Sequence, residues 1–199
     1  MQGKKLLLIA ISGLTTLTLT MPAFATMSVP DGWYIEGNVG STRLSNKSFS
    51  PASASSSGVG GNLNIGYKFM PYLGAEIGYT RYANTSIKYL GTKVASVKYY
   101  SYDIAAKGIL PITNTGFEPF AKLGVERLNA HASVTNGAAA NNISLSSSQH
   151  SSTGLYFGLG VQYYFMPEFA AVAQWQRASG SSSTGTMDLF SLGLSFLVD

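Results

Sequence analysis

The sequence predicts an all-β protein, an eight-stranded antiparallel up-and-down transmembrane β-barrel. Three observations predict it. Eight segments alternate apolar and polar residues with period two, the connections between them are short and long in turn, and charged residues make up only 11% of the chain, against about 25% in ordinary soluble domains. A soluble β-sandwich would alternate too, but its solvated faces would carry far more charge.

The N-terminus is predicted to be a signal peptide, residues 1–25. Lys4 and Lys5 precede the apolar run Leu6 to Ile11, which continues in diluted form to Leu19, and Ala23-Phe24-Ala25 supplies the small residues of a cleavage site. The short apolar core and the cleavage site argue against an uncleaved anchor. No later stretch approaches the roughly 18 apolar residues of a membrane helix. A mature chain that meets a bilayer must therefore do so as a closed barrel, because only helices and barrels satisfy every backbone group in lipid. Residues 26–199 leave room for one such domain. Losing Lys4 and Lys5 leaves 11 of the 13 basic residues against 9 acids, so the net charge falls from +4 to +2, too little to argue for nucleic acid. The absence of cysteine excludes disulfides and thiol chemistry.

The first strand opposes Trp33, Ile35, Val39 and Ser41 to Tyr34, Glu36, Asn38 and Gly40. In the second, Leu63, Ile65, Tyr67 and Phe69 alternate with Asn62, Asn64, Gly66 and Lys68. The third and seventh belong to a repeat. Tyr67-Lys-Phe-Met-Pro71 returns 96 residues later as Tyr163-Tyr-Phe-Met-Pro167, and each copy then runs through Ala75 or Ala171 and Tyr79 or Trp175 to Arg81 or Arg177. Apart from the methionines, the shared residues have one parity, so they lie on one face of a strand. The fourth strand, about Tyr99 to Leu110, sets Tyr102, Ile104, Ala106 and Leu110 against Asp103 and Lys107. The fifth, about Phe117 to Leu128, sets Ala121, Leu123 and Val125 against Lys122, Gly124 and Glu126. The sixth runs Leu155, Phe157, Leu159, Val161, Tyr163 and Phe165 against Tyr156, Gly158, Gly160 and Gln162. The eighth runs Phe190, Leu192, Leu194, Phe196 and Val198 against Ser191, Gly193 and Ser195.

Three connections are short: Met70 to Tyr72, Pro111 to Gly116 and Met166 to Glu168. Four are long: about Ser45 to Gly58, Ala83 to Ser96, Asn129 to Ser152 and Ala178 to Thr186. Short periplasmic turns against long extracellular loops are the pattern of outer-membrane barrels, with both termini inside.

The stretches Gly74-Ala-Glu-Ile-Gly-Tyr-Thr-Arg81, Tyr102-Asp-Ile-Ala-Ala-Lys-Gly-Ile-Leu-Pro111, Phe120-Ala-Lys-Leu-Gly-Val-Glu-Arg127 and Ser191-Leu-Gly-Leu-Ser-Phe196 resemble the OmpA-like family of eight-stranded outer-membrane barrels, over the chain from about Trp33 onward. The resemblance implies a Gram-negative cell envelope and a structural anchor, adhesin or surface antigen. It does not extend to a peptidoglycan-binding domain, so cell-wall tethering is not expected. Family members usually end on an aromatic residue read by the barrel assembly machinery. This chain ends Phe196-Leu-Val-Asp199, and Phe196 with Val198 are the expected assembly signal.

Four arginines, Arg43, Arg81, Arg127 and Arg177, fall on the first, third, fifth and seventh strands with lipid-facing parity. Each lies 10 residues beyond Trp33, Pro71, Phe117 or Pro167. At about 3.3 Å per residue and a tilt near 40°, that interval climbs about 25 Å, the height of the apolar band. All four are expected at the outer interface, either contacting lipopolysaccharide phosphates, for which guanidinium forks are suited, or snorkelling. Inside, Glu36, Lys68, Glu76, Asp103, Lys107, Lys122 and Glu126 are expected to form a charge network with Gln162, Gln174 and Gln176 that plugs a lumen just wide enough for side chains.

The two histidines, His131 and His150, are placed in the long Asn129 to Ser152 connection. His131-Ala-Ser133 superficially resembles the His-x-Ser of lipid A deacylases, but that connection contains no acid to orient the pair. No catalytic residue, cofactor or metal site is expected. Three matches to the glycosylation sequon, at Asn46, Asn84 and Asn142, are read as chance in a bacterial chain. The expected function is therefore a non-enzymatic, monomeric outer-membrane barrel whose loops meet host-cell or phage surface ligands. A small-solute pore or a lipid A-modifying enzyme is the alternative.

Overall fold

A computed structural model describes residues 31–45, 53–54, 57–89, 92–113, 115–134, 148–181 and 184–198. The expected signal peptide and Asp199 lie outside them. Ten strands run in the order β1 (Gly32–Ser45), β2 (Ser53–Ala54), β3 (Ser57–Met70), β4 (Leu73–Arg81), β5 (Thr85–Tyr89), β6 (Thr92–Ile109), β7 (Phe117–Val134), β8 (Ser148–Tyr164), β9 (Phe169–Ala178) and β10 (Thr186–Val198). Eight of these close on themselves, each antiparallel to the next, as β1-β3-β4-β6-β7-β8-β9-β10 and back to β1. Closure leaves the barrel without an edge.

The register fixes the barrel's shape. Following directly paired residues around the wall leads from Tyr34 through Gly66, Glu76, Ala105, Gly124, Tyr156, Ala178 and Met187 back to β1 at Leu44. One circuit thus staggers the wall by 44 − 34, or ten residues. With strands about 4.8 Å apart and a rise of about 3.3 Å, eight strands and this stagger set a tilt of about 40° and a Cα radius of about 8 Å.

The outer face carries exposed aliphatic side chains such as Ile65, Ile77, Ile104, Leu123, Leu159 and Leu192. Two aromatic girdles bound them. At the periplasmic end the cross-strand pairs Trp33–Tyr67, Phe117–Tyr163 and Phe169–Phe196 bring ring centroids to 5.2, 4.5 and 4.8 Å. Toward the outside lie Tyr79–Tyr102 at 5.3 Å and Phe157–Trp175 at 5.7 Å. An apolar belt between aromatic rims is what a bilayer selects. The repeat forms two of the three periplasmic connections: Met70 pairs with Leu73 across Pro71-Tyr72, and the segment after Tyr164 folds back so that the Phe165 N–H donates to the Phe169 carbonyl. The third turns at Gly116, whose φ of 73° lies in the left-handed region that suits glycine.

Two long connections differ from expectation. In the segments expected as loops from Ala83 to Ser96 and from Asn129 to Ser152, the described residues are largely strand: β5 pairs with the start of β6, β7 runs on to Val134, and β8 starts at Ser148. His131 and His150 consequently sit on strands, opposite Gln149 and Ala130. The physical reason is an inversion of the pattern. Within the bilayer the outward positions are apolar, but above it Ala95, Val97, Tyr99 and Ala130 pack inward while Lys98, His131, Gln149 and Ser151 face water. Once lipid no longer selects the outward face, the barrel's own alternation ends although the ladder continues. The wall of β6, β7 and β8 therefore rises about 15 Å above the level of Arg127.

An arginine on the lipid belt should report where that belt lies. Leu123→Arg, at mid-height, is expected to destabilise the barrel by about 2–4 kcal/mol, and Leu155→Arg, near the outer rim, by about 0–1 kcal/mol. Urea unfolding in phosphatidylcholine vesicles measures both.

Candidate functional site

The lumen is filled rather than open. Glu36, fully buried on β1, is its hub. Its Oε1 accepts hydrogen bonds from Asn38 Nδ2 at 2.9 Å, Asn64 Nδ2 at 3.1 Å, Gln174 Nε2 at 3.2 Å and Lys122 Nζ at 3.3 Å, and its Oε2 accepts one from Lys107 Nζ at 3.3 Å. Lys122 Nζ also stands 2.7 Å from Glu76 Oε1, and the Tyr34 hydroxyl donates to Glu76 Oε2 at 2.8 Å. Lys107 Nζ lies 4.4 Å from the centre of the Phe120 ring and 4.8 Å from that of Tyr34. Two inward glycines make room for these rings: a Cβ on Gly66 would stand 2.3 Å from Tyr34 Cζ, and one on Gly160 2.4 Å from Phe120 Cζ.

Toward the periplasm, Lys68 pairs with Glu118 at 3.2 Å. Gln162 links that pair to the hub by donating to Glu118 at 2.6 Å and accepting from Lys107 at 3.0 Å. Glu118 is absent from the residues expected in the lumen, although its parity with Lys122 and Glu126 was a signal that could have placed it there. Toward the outside, Gln176 accepts from Asn62 Nδ2 at 2.7 Å and donates to Thr80 Oγ1 at 2.9 Å. Above that, Leu44, Tyr82, Leu128, Met187 and Leu189 form an apolar cap across the mouth. A lumenal cavity beside Tyr34, Lys68, Lys107 and Gln162 measures about 10 Å³, room for about one water.

Of the seven charged residues expected inside, Glu36, Glu76, Lys107 and Lys122 come together, and Lys68 joins them through Gln162. Asp103 and Glu126 are buried in the lumen but make no ion pair among the described residues.

The four arginines stand exposed on every second strand of the ring, β1, β4, β7 and β9. Each step to the next strand gains one-eighth of the ten-residue stagger, which puts their Cα atoms within about 6 Å of one another in height. They are not equivalent. Asp188, on β10 between Arg43 and Arg177, holds the Arg177 fork at 2.8 and 3.1 Å and accepts from Trp175 Nε1 at 3.2 Å. Arg127 donates to Ser151 Oγ at 3.4 Å. Asp188 escaped the sequence reading because a lone acid on an apolar face breaks the alternation. Its signal was its position directly opposite two arginines, which only the register reveals. On the lipid face, a groove of about 710 Å³ passes below Trp175 and Phe190 along Val39, Leu159, Val161 and Leu192.

His131 and Ser133 face outward above the bilayer, where the register partners of His131 are Lys98 and Gln149, with no acid beside it among the described residues. No group of three or more His, Cys, Asp or Glu comes together among the described residues.

A closed eight-stranded wall with an apolar belt, two aromatic rims and a polar, side-chain-filled interior defines an integral β-barrel of the outer membrane. A family model described as outer membrane protein beta-barrel domain matches residues 11–196, and the chain belongs to that family. Among solved structures it is similar to Neisserial surface protein A (18% identity, 84% of this chain and 97% of that one, TM-score 0.58). It is similar also to OprG from Pseudomonas aeruginosa (17% identity, 87% and 100%, TM-score 0.56) and to Ail of Yersinia pestis in complex with the heparin analogue sucrose octasulfate (17% identity, 83% and 96%, TM-score 0.53). At these identities the likeness is one of fold. Among curated proteins no sequence matches.

The hub makes a quantitative expectation. Lys122→Met leaves Glu36 and Glu76 buried without their shared cation and should cost about 3–5 kcal/mol of stability, measured as a fall in the urea midpoint of the vesicle-inserted protein.

Proposed function

We propose that this protein is a non-enzymatic, monomeric surface barrel of the outer membrane that presents its extracellular wall to ligands outside the cell. The observation that carries this reading is the continuation of β6, β7 and β8, with β5, beyond the arginine ring as a polar-faced sheet. A structure raised above the bilayer on an otherwise filled barrel serves display rather than passage. The capped, hydrogen-bonded lumen counts against a small-solute pore, and the lack of an acid beside His131 and Ser133 among the described residues counts against a lipid A hydrolase.

The first ligand class to test is a sulfated glycan. Lys98 and His131 are register partners on the exposed outward face, with Arg127 four residues below His131 on the same face. Such a row suits a polyanion, and the structure of Ail, a barrel of the same fold, contains a heparin analogue. At the rim, Arg43, Arg81 and Arg127 have guanidinium groups to offer lipopolysaccharide phosphates, while Arg177 is already held by Asp188. In the mature chain, residues 26–199, Phe196 and Val198 would dock the last strand on the assembly machinery, after removal of residues 1–25 during export.

A deletion strain complemented with the wild type or with a chain whose 82–98 and 129–152 segments are exchanged for short turns tests the display role. The exchanged chain should restore resistance to detergents but not attachment to host cells or immobilised heparin. Equal attachment by both chains would defeat this reading, as would a steady conductance of the purified barrel in planar bilayers. Arg43→Gln, Arg81→Gln and Arg127→Gln together should weaken lipid A binding at least tenfold, whereas Arg177→Gln alone should change it less than twofold.

A further inference from the structure

The register places Glu36, Asn64, Gly78, Asp103 and Glu126 in one continuous row across β1, β3, β4, β6 and β7, all on the lumenal face. The row is charged at both ends, and the two ends are treated differently. Glu36 receives five donors, whereas both carboxylate oxygens of Asp103 and both of Glu126 receive no hydrogen bond among the described residues. Charge follows the same division. Three lysines (Lys68, Lys107, Lys122) and five acids (Glu36, Glu76, Asp103, Glu118, Glu126) are buried in the lumen. The lysines are committed to Glu118, Glu36 and Glu76. The remaining formal charge of −2 falls to Asp103 and Glu126.

Asn64 supplies a separate observation. Its Nδ2 donates to Glu36, which fixes the orientation of the amide, because exchanging N and O would turn a carbonyl toward a carboxylate. Its Oδ1 is therefore aimed the other way, 1% exposed and without a donor. Asn64 Oδ1, Asp103 Oδ1 and Asp103 Oδ2 each lie 2.6 Å from the point where a Cβ on Gly78 would stand. Three oxygens that receive no hydrogen bond among the described residues converge over the one position of that row that has no side chain. Oxygen dipoles and carboxylates repel one another in a medium of low dielectric unless a positive charge lies between them.

We propose that Asp103, Glu126 and Asn64 Oδ1 form a lumenal binding site for one hard divalent cation of the Ca²⁺ class, seated over Gly78. Oxygen-only ligation by two carboxylates and an amide carbonyl suits such an ion, water completing its shell. A charge of +2 matches the unneutralised charge of the lumen. The ion ties β3 to β6 and β7 across Gly78 of β4 beneath the apolar cap, so it loads as the barrel folds and exchanges slowly afterward.

The test is to refold the full mature chain into phosphatidylcholine vesicles free of lipopolysaccharide, with Ca²⁺ or with chelator, and to follow the urea midpoint. Tb³⁺ luminescence sensitised by the lumenal Tyr82 and Tyr156 serves as a direct probe. Wild type should bind one Tb³⁺ per chain, displaced by Ca²⁺, and should unfold at higher urea with Ca²⁺. Asp103→Asn with Glu126→Gln, which removes the charge without altering shape, should fold and lose at least tenfold in Tb³⁺ affinity together with the Ca²⁺ response. Gly78→Ala, whose methyl group would stand 2.6 Å from all three oxygens and force them apart, should lose both, and if it does not fold the double variant decides alone. Asp188→Asn, on the outer face, should keep both. A Ca²⁺ response that survives in the double variant overturns the proposal. So does a wild type indifferent to Ca²⁺ but stabilised by acid in a way that Asp103→Asn abolishes, since the two carboxylates would then share a proton.

Discussion

A carboxylate in the middle of a barrel about 8 Å in radius is tolerated only if donors surround it, and much of the lumen is arranged to supply them to Glu36. Its five donors come from β1, β3, β6, β7 and β9, so this one group holds together strands from around the whole circumference. Satisfying it draws in the rest. Lys122 brings Glu76, Glu76 brings Tyr34, and Lys107 brings Gln162 and through it the Lys68–Glu118 pair. Removing any one partner leaves another charge buried alone, which is why such a network is costly to interrupt and specifies a single arrangement.

The wall obeys two solvents in succession. Along the transmembrane length, lipid selects the outward face and the charge network fills the inward one. Beyond the arginine ring water selects the outward face, and the inward positions become Ala95, Val97, Tyr99 and Ala130. The same backbone ladder passes through both regimes without interruption. The apolar cap at the mouth is the first layer of this second regime, and it separates the lumenal charges from the outside.

A filled lumen directs attention outward. What varies around the rim is the company each arginine keeps: Asp188 and Trp175 at Arg177, Ser151 at Arg127. An ion pair at the bilayer surface spends part of an arginine's donor capacity on the protein itself. The ring is therefore uneven in what it can offer to lipid phosphates, although its members are nearly level.

Strand number, lipid-facing parity, the direction of each strand and the height of the arginines were legible in the sequence, because a bilayer imposes period two and a fixed thickness on every strand at once. The repeated Tyr-x-Phe-Met-Pro segment marked two of the periplasmic turns for the same reason. The extension of β7 to Val134 and of β8 from Ser148 was not legible, since the alternation inverts where lipid ends and an inverted pattern reads as a loop. Nor could parity say which charges meet. Glu118 pairs with Lys68 across the barrel, 50 residues away, and Asp188 stands opposite Arg43 and Arg177, because a ten-residue stagger sets which residues share a level. Local periodicity determined the faces of this protein. The partners were decided only when the wall closed, since closure with a fixed stagger is a property of all eight strands together and of no one segment.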